Sequence, residues 1–320
     1  MASKLYRLWA AMILCVVATS GCSINRLAVD RVGDALAAGG GAYATDDDPE
    51  LVGAALPFGL KLMESLLAQS PEHRGLLLAA ASGYTQYAYG FVQLPAEQLE
   101  STDLQRSWSE QDRARRLYLR ARDYGLRGLA LGRPGFAAQF RQDPAASLRQ
   151  MDRRDTDFLY WTAAAWGAAI GLSKDDPSMI SDLPRVEALA DRALSLDPAF
   201  GQGALQSFMI TWEMVRAGTD GDPIDRAVAH YREAVVLSGG FDAGPHVSYA
   251  ESVCRAQEDR RCFRETLAAA LAIDVDAKPS ARLANTLMQR RARWLLDSMD
   301  RLILPPLDDL PNEEAKGDSP

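Results

Sequence analysis

Asp155–Asp176 reads DTDFLYWTAAAWGAAIGLSKDD, and this stretch decides the fold class. Leu159, Ala163, Trp166 and Ile170 share one helical face, while Phe158, Trp161, Ala165 and Leu172 share another. Apolar surface therefore runs nearly all the way round, and such a helix needs cover on both sides. From Phe158 to Leu172 it would reach about 22 Å, short of the roughly 30 Å that a bilayer core requires. The spacing predicts the buried central helix of a soluble helical protein. Alanines at 163–165, 168 and 169 let neighbouring backbones come close, and the bulky Trp161 and Trp166 set the register. Ser173, Lys174, Asp175, Asp176 and Pro177 then read as a stop signal and loop.

The composition extends this reading to the whole chain. Its 320 residues are 48% hydrophobic, enough to bury a substantial core. Alanine, leucine and arginine dominate and β-branched runs are few, so strands have little support and an all-α fold is expected. The formal charge is −8, and loss of Lys4 and Arg7 with a leader would take it to −10. No basic block offsets it, which argues against nucleic acid as a partner.

The N-terminus reads as an address. Lys4 and Arg7 precede the uncharged stretch Leu8–Ala18, and Thr19-Ser20-Gly21-Cys22 follows. A basic segment, a short apolar segment and small residues before a cut define a secretory leader at 1–21. The cysteine directly after the small residues resembles the lipobox of bacterial lipoproteins, with Thr19 where leucine is usual. Cys22 is then the lipidated first residue, and the alternative is a plain leader with an incidental cysteine. Each buried methylene of an acyl chain contributes about 0.8 kcal/mol, so several chains hold a protein to a membrane without a spanning helix. Ser23 is not the aspartate associated with inner-membrane retention, so the periplasmic face of either membrane stays open.

With Cys15 in the leader and Cys22 lipidated, Cys254 and Cys262 remain. They flank a charged turn between two helical patterns, in an oxidising compartment, and a disulfide is expected there. Closing so short a loop stabilises a hairpin by about 2.5 kcal/mol in the chain-entropy model. The sequence has no CxxC and no clustered histidines, so neither metal nor cofactor is expected.

Helix endings repeat along the chain. Leu66-Leu67-Ala68-Gln69-Ser70-Pro71 resembles Leu129-Ala130-Leu131-Gly132-Arg133-Pro134, and both resemble Ala193-Leu194-Ser195-Leu196-Asp197-Pro198. The Ala-Leu-x-Leu-Asp-Pro form is similar to the end of the second helix of a tetratricopeptide repeat (TPR). The intervals are uneven because segments such as 94–101 and 136–154, read as loops, interrupt the pairs. Degenerate TPR-like hairpins in a compact bundle or short solenoid fit better than a regular superhelix. The pairs are drawn at 72–93 with 103–132, 155–172 with 184–196, 201–217 with 222–237, and 244–256 with 259–273. A long helix at 279–302 seals the end. The helical domain spans 22–304, and the acidic, proline-containing 305–320 reads as a disordered tail. Upstream, the glycines at 39–41 break a weakly amphipathic helix, and Asp46–Glu50 reads as a helix cap rather than a calcium loop.

No nucleophile, metal-protease or phosphate-loop motif occurs, and His73, His230 and His246 are far apart, so enzyme activity is unsupported. His73 reads as a surface or capping residue. Tyr84, Tyr87 and Phe91, at helical spacing, are core by default and a pocket wall in the sharper reading. Trp161 and Trp166 carry the same two readings. In the last helix Arg290, Arg291 and Arg293 stand near Trp294, either solvated and paired with Asp297 and Asp300 or, for Arg290 in particular, binding a carboxylate.

Several stretches together carry a family likeness: LPFGLKLMESLLAQSPEHRGLLLAAASGYTQYAYGFV, LYWTAAAWGAAIGLSKDD, ADRALSLDPAFGQGAL and RLANTLMQRRARWLL. They resemble the TatT family, lipoproteins associated with tripartite ATP-independent periplasmic (TRAP) transporters. The resemblance implies a periplasmic, lipid-anchored helical protein with degenerate TPR-like repeats that associates with the transporter's substrate-binding protein, with a homotrimer as the assembly to look for. It also implies a role in solute uptake, with a small apolar or carboxylate ligand. The alternative is a TPR-like scaffold lipoprotein for envelope protein assembly.

Overall fold

The computed structural model describes residues 30–305, apart from 38, 217 and 219. The expected leader, the expected lipidation site at Cys22, and all of the expected tail beyond 305 lie outside the described residues. All regular structure among the described residues is helical, as the apolar periodicity predicts. The chain divides into two compact units, one ending at Asp197 and the other beginning at Pro198.

The first unit contains α1 (Pro49–Gln69), α2 (Arg74–Tyr87), α3 (Leu104–Ala130), α4 (Phe136–Gln142), α5 (Pro144–Leu148), α6 (Thr156–Gly171) and α7 (Leu183–Leu196). Local chemistry sets the starts. Asp48 accepts from the Leu51 N–H at 2.9 Å with Pro49 in the first turn, so the acidic run caps α1. His73 does the same for α2 through Nδ1, accepting from Leu76 N–H at 3.2 Å. Asp103 caps α3 and Asp143 caps α5. Ahead of α6, Asp152 and Asp155 cap a single 3₁₀ turn reciprocally. Asp155, only 3% exposed, also accepts from Arg133 at 2.5 Å and lies 3.5 Å from Arg74.

α6 packs against α2, α3 and α7, which is the two-sided cover that its sequence demands. Phe158, Leu159, Ala163, Ala165 and Ala169 are fully buried. The close approach that the alanines announce is completed from the other side by glycines. A Cβ on Gly125 would overlap Thr162, and one on Gly128 would overlap the Phe158 ring.

Four segments of the first unit differ from the sequence reading. The helix expected over 72–93 widens into a π turn at Ala88–Gln93, where Leu94 N–H donates to Tyr89 O. Pro95 has no N–H to return to Phe91, so the ladder shifts there to the wider i→i−5 pattern. The segments read as loops hold short helices: Leu94–Gln98, α4 and α5. Gly40 and Gly41 lie inside a short helix, Gly40–Ala44, following helical residues 30–37.

α1 is long and apolar enough to cross a membrane by length and composition, with 22% of its most apolar window buried. Its outer face carries Leu51 and Phe58, 60% and 76% exposed.

The second unit contains α8 (Phe200–Glu213), α9 (Pro223–Ser238), α10 (Gly244–Tyr249), α11 (Arg260–Leu271) and α12 (Arg282–Asp297). α8 pairs with α9 and α10 with α11, following the drawn hairpins. Gly203, at φ +102°, brings α8 onto α9, where a Cβ would stand 2.8 Å from Ala234 O. Phe263, Leu267, Val247, Ala292 and Leu295 form the core. α10 continues into a π turn, Ala250–Cys254, and Cys254 is bonded to Cys262 (S–S 1.95 Å). The helix expected over 279–302 is interrupted on both sides of α12 by a 3₁₀ turn, Pro279–Ala281, and by Ser298 before Met299–Leu302. Asn285 joins Phe241 O and Ala243 N–H, and Gln289 donates to Ala270, Leu271 and Ile273 carbonyls, so both α12 amides fasten the loops above them.

Candidate functional site

α3 is the element around which candidate residues gather. Arg113, Arg120 and Arg127 recur every seven residues and so share a face. Each lies over an aromatic ring: Arg113 over Tyr87 at 5.9 Å, Arg120 over Tyr84 at 5.4 Å and Arg127 over Tyr124 at 5.3 Å. Arg113 also donates to the Tyr87 hydroxyl at 3.2 Å. Tyr84 stacks on Tyr124, with centroids 6.1 Å apart, and Tyr124 donates to Glu64 at 2.9 Å. Burial, then the charge and hydrogen bonding of Glu64, push the Tyr84 phenol up to about 12. Burial would raise the Glu64 carboxyl too, but hydrogen bonds from Lys61, Tyr124 and Tyr84 and the Arg120 charge hold it below its ordinary value.

The predicted pocket wall of Tyr84, Tyr87 and Phe91 is thus occupied by the protein itself. Tyr84 and Tyr87 are 3% and 8% exposed, and Phe91 stacks on Tyr87 at 6.0 Å while closing on Gly53 of α1. Trp161 is half-buried, edge-on to Tyr160 at 4.9 Å. Arg290 belongs to the second unit and is exposed on α12. Its neighbour Arg291 is the buried one, bonded to Glu251 at 2.6 Å and lying 4.4 Å over Trp294. Asp300 pairs with Arg260 rather than with these arginines.

Trp166 is different, because it borders space. It lines a cavity of about 290 Å³ whose other apolar walls are Leu126 of α3 and Phe136 and Phe140 of α4. α4 exists because Gly135, at φ +78°, turns the chain into it. Phe136 and Phe140, four apart and stacked at 5.5 Å, then point the same way. Phe140 meets Trp166 at 6.4 Å, and Arg122 lies 5.0 Å over the indole. The rim adds Arg141, Arg185 and Asp182. Arg122 is neutralised by Asp123 at 2.7 Å and Arg185 by Asp182, whereas Arg141 has no carboxylate partner among the described residues. The Trp166 Nε1–H is buried with no acceptor among the described residues.

Of the six predicted ligand residues, Trp166 lines this cavity and the other five do not. Sequence reading missed Phe136, Phe140 and Arg141, which lie in a segment read as loop. Their signal was present as the i, i+4 aromatic pair between Gly135 and Asp143-Pro144.

The histidines are each engaged elsewhere. His73 caps α2, His230 meets Gln206 at 2.6 Å, and His246 meets the Tyr231 hydroxyl at 2.8 Å. Among the described residues no group of three or more His, Cys, Asp or Glu side chains could hold a metal ion.

The described residues are thus packed helices, with an apolar cavity rimmed by arginines in the first unit. The chain belongs to the TRAP transporter T-component family, whose model matches residues 45–303. It is also similar to an uncharacterised protein of Treponema pallidum (strain Nichols), 30% identical over 305 residues, covering 90% of this chain and 93% of that protein. The family is one of transporter components rather than of enzymes.

Proposed function

We propose that the chain is a lipid-tethered periplasmic accessory of a TRAP transporter, binding a small ligand, the transporter's substrate-binding protein, or both during solute uptake. The observation that carries the reading is the T-component match, which runs through both helical units from 45 to 303. The leader-like N-terminus ending in Cys22 supports the tether. A tether confines the chain to the membrane surface, so weak contacts with a periplasmic partner suffice. The paired helices support descent from a worn TPR-like array, in which each hairpin buries its face on the next. The role is one of holding rather than transforming, and a homotrimer is the assembly this reading carries forward.

The exposed Leu51 and Phe58 on α1 favour a second reading, a scaffold lipoprotein that docks envelope proteins on that face. Affinity capture from cells expressing the tagged chain separates the two. Recovery of the TRAP substrate-binding protein with the wild type, and its loss with a Cys22→Ala variant that leaves the membrane fraction, supports the transporter role. Recovery of envelope-assembly proteins alone overturns it.

A further inference from the structure

We propose that the outer face of α1 lies on a phospholipid bilayer, with Phe58 set among the acyl chains. The inference rests on the tether of the proposed function and adds which surface of the first unit that tether brings down. Leu51, Ala54, Ala55 and Phe58 recur at i, i+3, i+4 and i+7, so they form one stripe, and all four are exposed. The opposite face is committed to protein. Val52, Leu60, Leu66 and Leu67 are buried, the Phe91 ring closes on Gly53, and Leu60 closes on Gly83 of α2. α1 is long and apolar enough to cross a membrane, but crossing would strip it of these partners. A helix with one face packed and the other apolar lies in the interface instead.

The chain ahead of α1 sets the reach. The Asp30 carboxylate accepts from the Ser70 hydroxyl at 2.7 Å, at the C-terminal end of α1, and the Asp30 carbonyl meets His73 Nε2 at 3.2 Å. Cys22 lies eight positions before Asp30, at most about 28 Å of extended chain. From Ser70 back to Phe58 is about 18 Å of helix. The stripe is therefore within reach of the bilayer that holds the acyl chains of Cys22. Charge favours the same occupant. Glu64 is one carboxylate shared by Lys61 and by Arg120 at 3.4 Å, and Arg127 donates to the Pro71 carbonyl with no carboxylate partner among the described residues. This side of α1 carries surplus cation, which lipid phosphates neutralise while the alkyl stems cover apolar surface. A second copy of the chain would bring the same cations to the contact, whereas a bilayer supplies the anions. Asp46, Asp47, Asp48 and Glu50 stand at the N-terminal end of α1 and keep that end at the water boundary, so Phe58, more than two turns in, lies deepest.

The test uses the lipidated mature chain in vesicles of phosphatidylethanolamine and phosphatidylglycerol. Phe58→Cys takes a nitroxide at its one free thiol, because Cys22 carries lipid and Cys254 is bonded to Cys262. Ser195→Cys, exposed on α7, which packs on α6, is the reference. Both positions are exposed, so neither change disturbs the core, and thermal melting of each variant checks the fold. Power-saturation EPR reads collisions of each nitroxide with dissolved oxygen and with a water-soluble nickel chelate. The nitroxide at 58 is expected to gain oxygen collisions and to lose chelate collisions relative to the one at 195. Equal chelate access at the two positions overturns the proposal. So does a nitroxide at 58 shielded from both reagents, since that result places protein against the stripe, a second copy or an envelope protein. Intact mass reads the tether separately. A mass without acyl chains refutes the tether of the proposed function, and the same labels, read with Cys15→Ala and Cys22→Ala added, still decide the face.

Discussion

Replacing Gly128 by alanine tests how α3 and α6 are joined. In an exposed helix interior this substitution gains about 1 kcal/mol, because alanine restricts the unfolded chain and favours helix. Here the new Cβ would overlap the Phe158 ring, closer than the 3.0 Å that real Cβ contacts respect. Phe158 is fully buried, so the ring has no solvent to swing into. Either α3 and α6 move apart or Phe158 leaves its rotamer, and overpacking of this kind costs about 1–3 kcal/mol or more. With an overlap on three ring atoms at once, the upper end applies, and the net loss is about 2 kcal/mol after the helix gain. Gly171→Ala is the control. It changes the same atoms on an exposed helix end where a Cβ meets nothing within 4 Å, so stability holds or rises by up to about 1 kcal/mol. Urea unfolding followed by circular dichroism measures both. Phe158→Leu should make the Gly128→Ala loss smaller than it is alone, a coupling that a double-mutant cycle reads directly. If Gly128→Ala proves as stable as Gly171→Ala, the helices do not meet at this glycine and the packing argument fails.

Three further outcomes follow from buried polar groups and from the disulfide. Asp155→Asn removes the carboxylate that Arg133 and Arg74 share in a 3% exposed position, and should cost about 3 kcal/mol in urea unfolding, while a loss under 1 kcal/mol would show the arginines re-solvated at no expense. Burial would raise Glu213, but hydrogen bonds from Arg226 and Arg216 hold it below its ordinary 4.5, so its stabilisation is complete above that value and disappears as pH falls through the folded value. Burial also holds His230 below 6.5, so acidification from about pH 6.5 costs stability in the same direction. The unfolding midpoint should therefore fall with acid, and Glu213→Gln should flatten the part below pH 4.5, whereas an identical acid limb in the variant would contradict the assignment. Breaking the Cys254–Cys262 link with reductant, or by Cys262→Ser, should lower stability by about 2.5 kcal/mol for an eight-residue separation, and equal melting of oxidised and reduced protein would show that the turn is held by packing instead.

How much of this was legible depends on length scale. The all-round apolarity of 158–172 marks α6 as central, because a helix with no polar face has no alternative to burial. The hairpin partners were legible from the periodic apolar faces of the helices and from the repeated endings between them. What the sequence did not disclose was where side chains of opposite helices meet. Tyr84 and Tyr87 look free to face a ligand until Arg113 and Arg120 are seen to cover them, and that pairing depends on helices from different segments. The arginines of α3 recur every seven residues in the sequence, but spacing alone does not say which rings they cover. Similarly, α4 is only seven residues long, too short for periodicity to declare itself, so two cavity walls were hidden in an apparent loop. The space left by Gly125 and Gly128 is filled from a distant segment, by Thr162 and Phe158, a meeting that no local pattern declares.

The proposed role, that of a membrane-tethered chain holding a TRAP substrate-binding protein, brings that partner within reach of the chain in cells. Crosslinking mass spectrometry on intact cells tests it most directly, because Lys61 on α1, Lys174 after α6 and Lys278 before α12 offer reactive amines in both units. The account predicts crosslinks from these lysines to the substrate-binding protein of a TRAP transporter, lost when Cys22→Ala releases the chain from the membrane. Crosslinks confined to envelope-assembly proteins, or unchanged by the Cys22→Ala substitution, would contradict it.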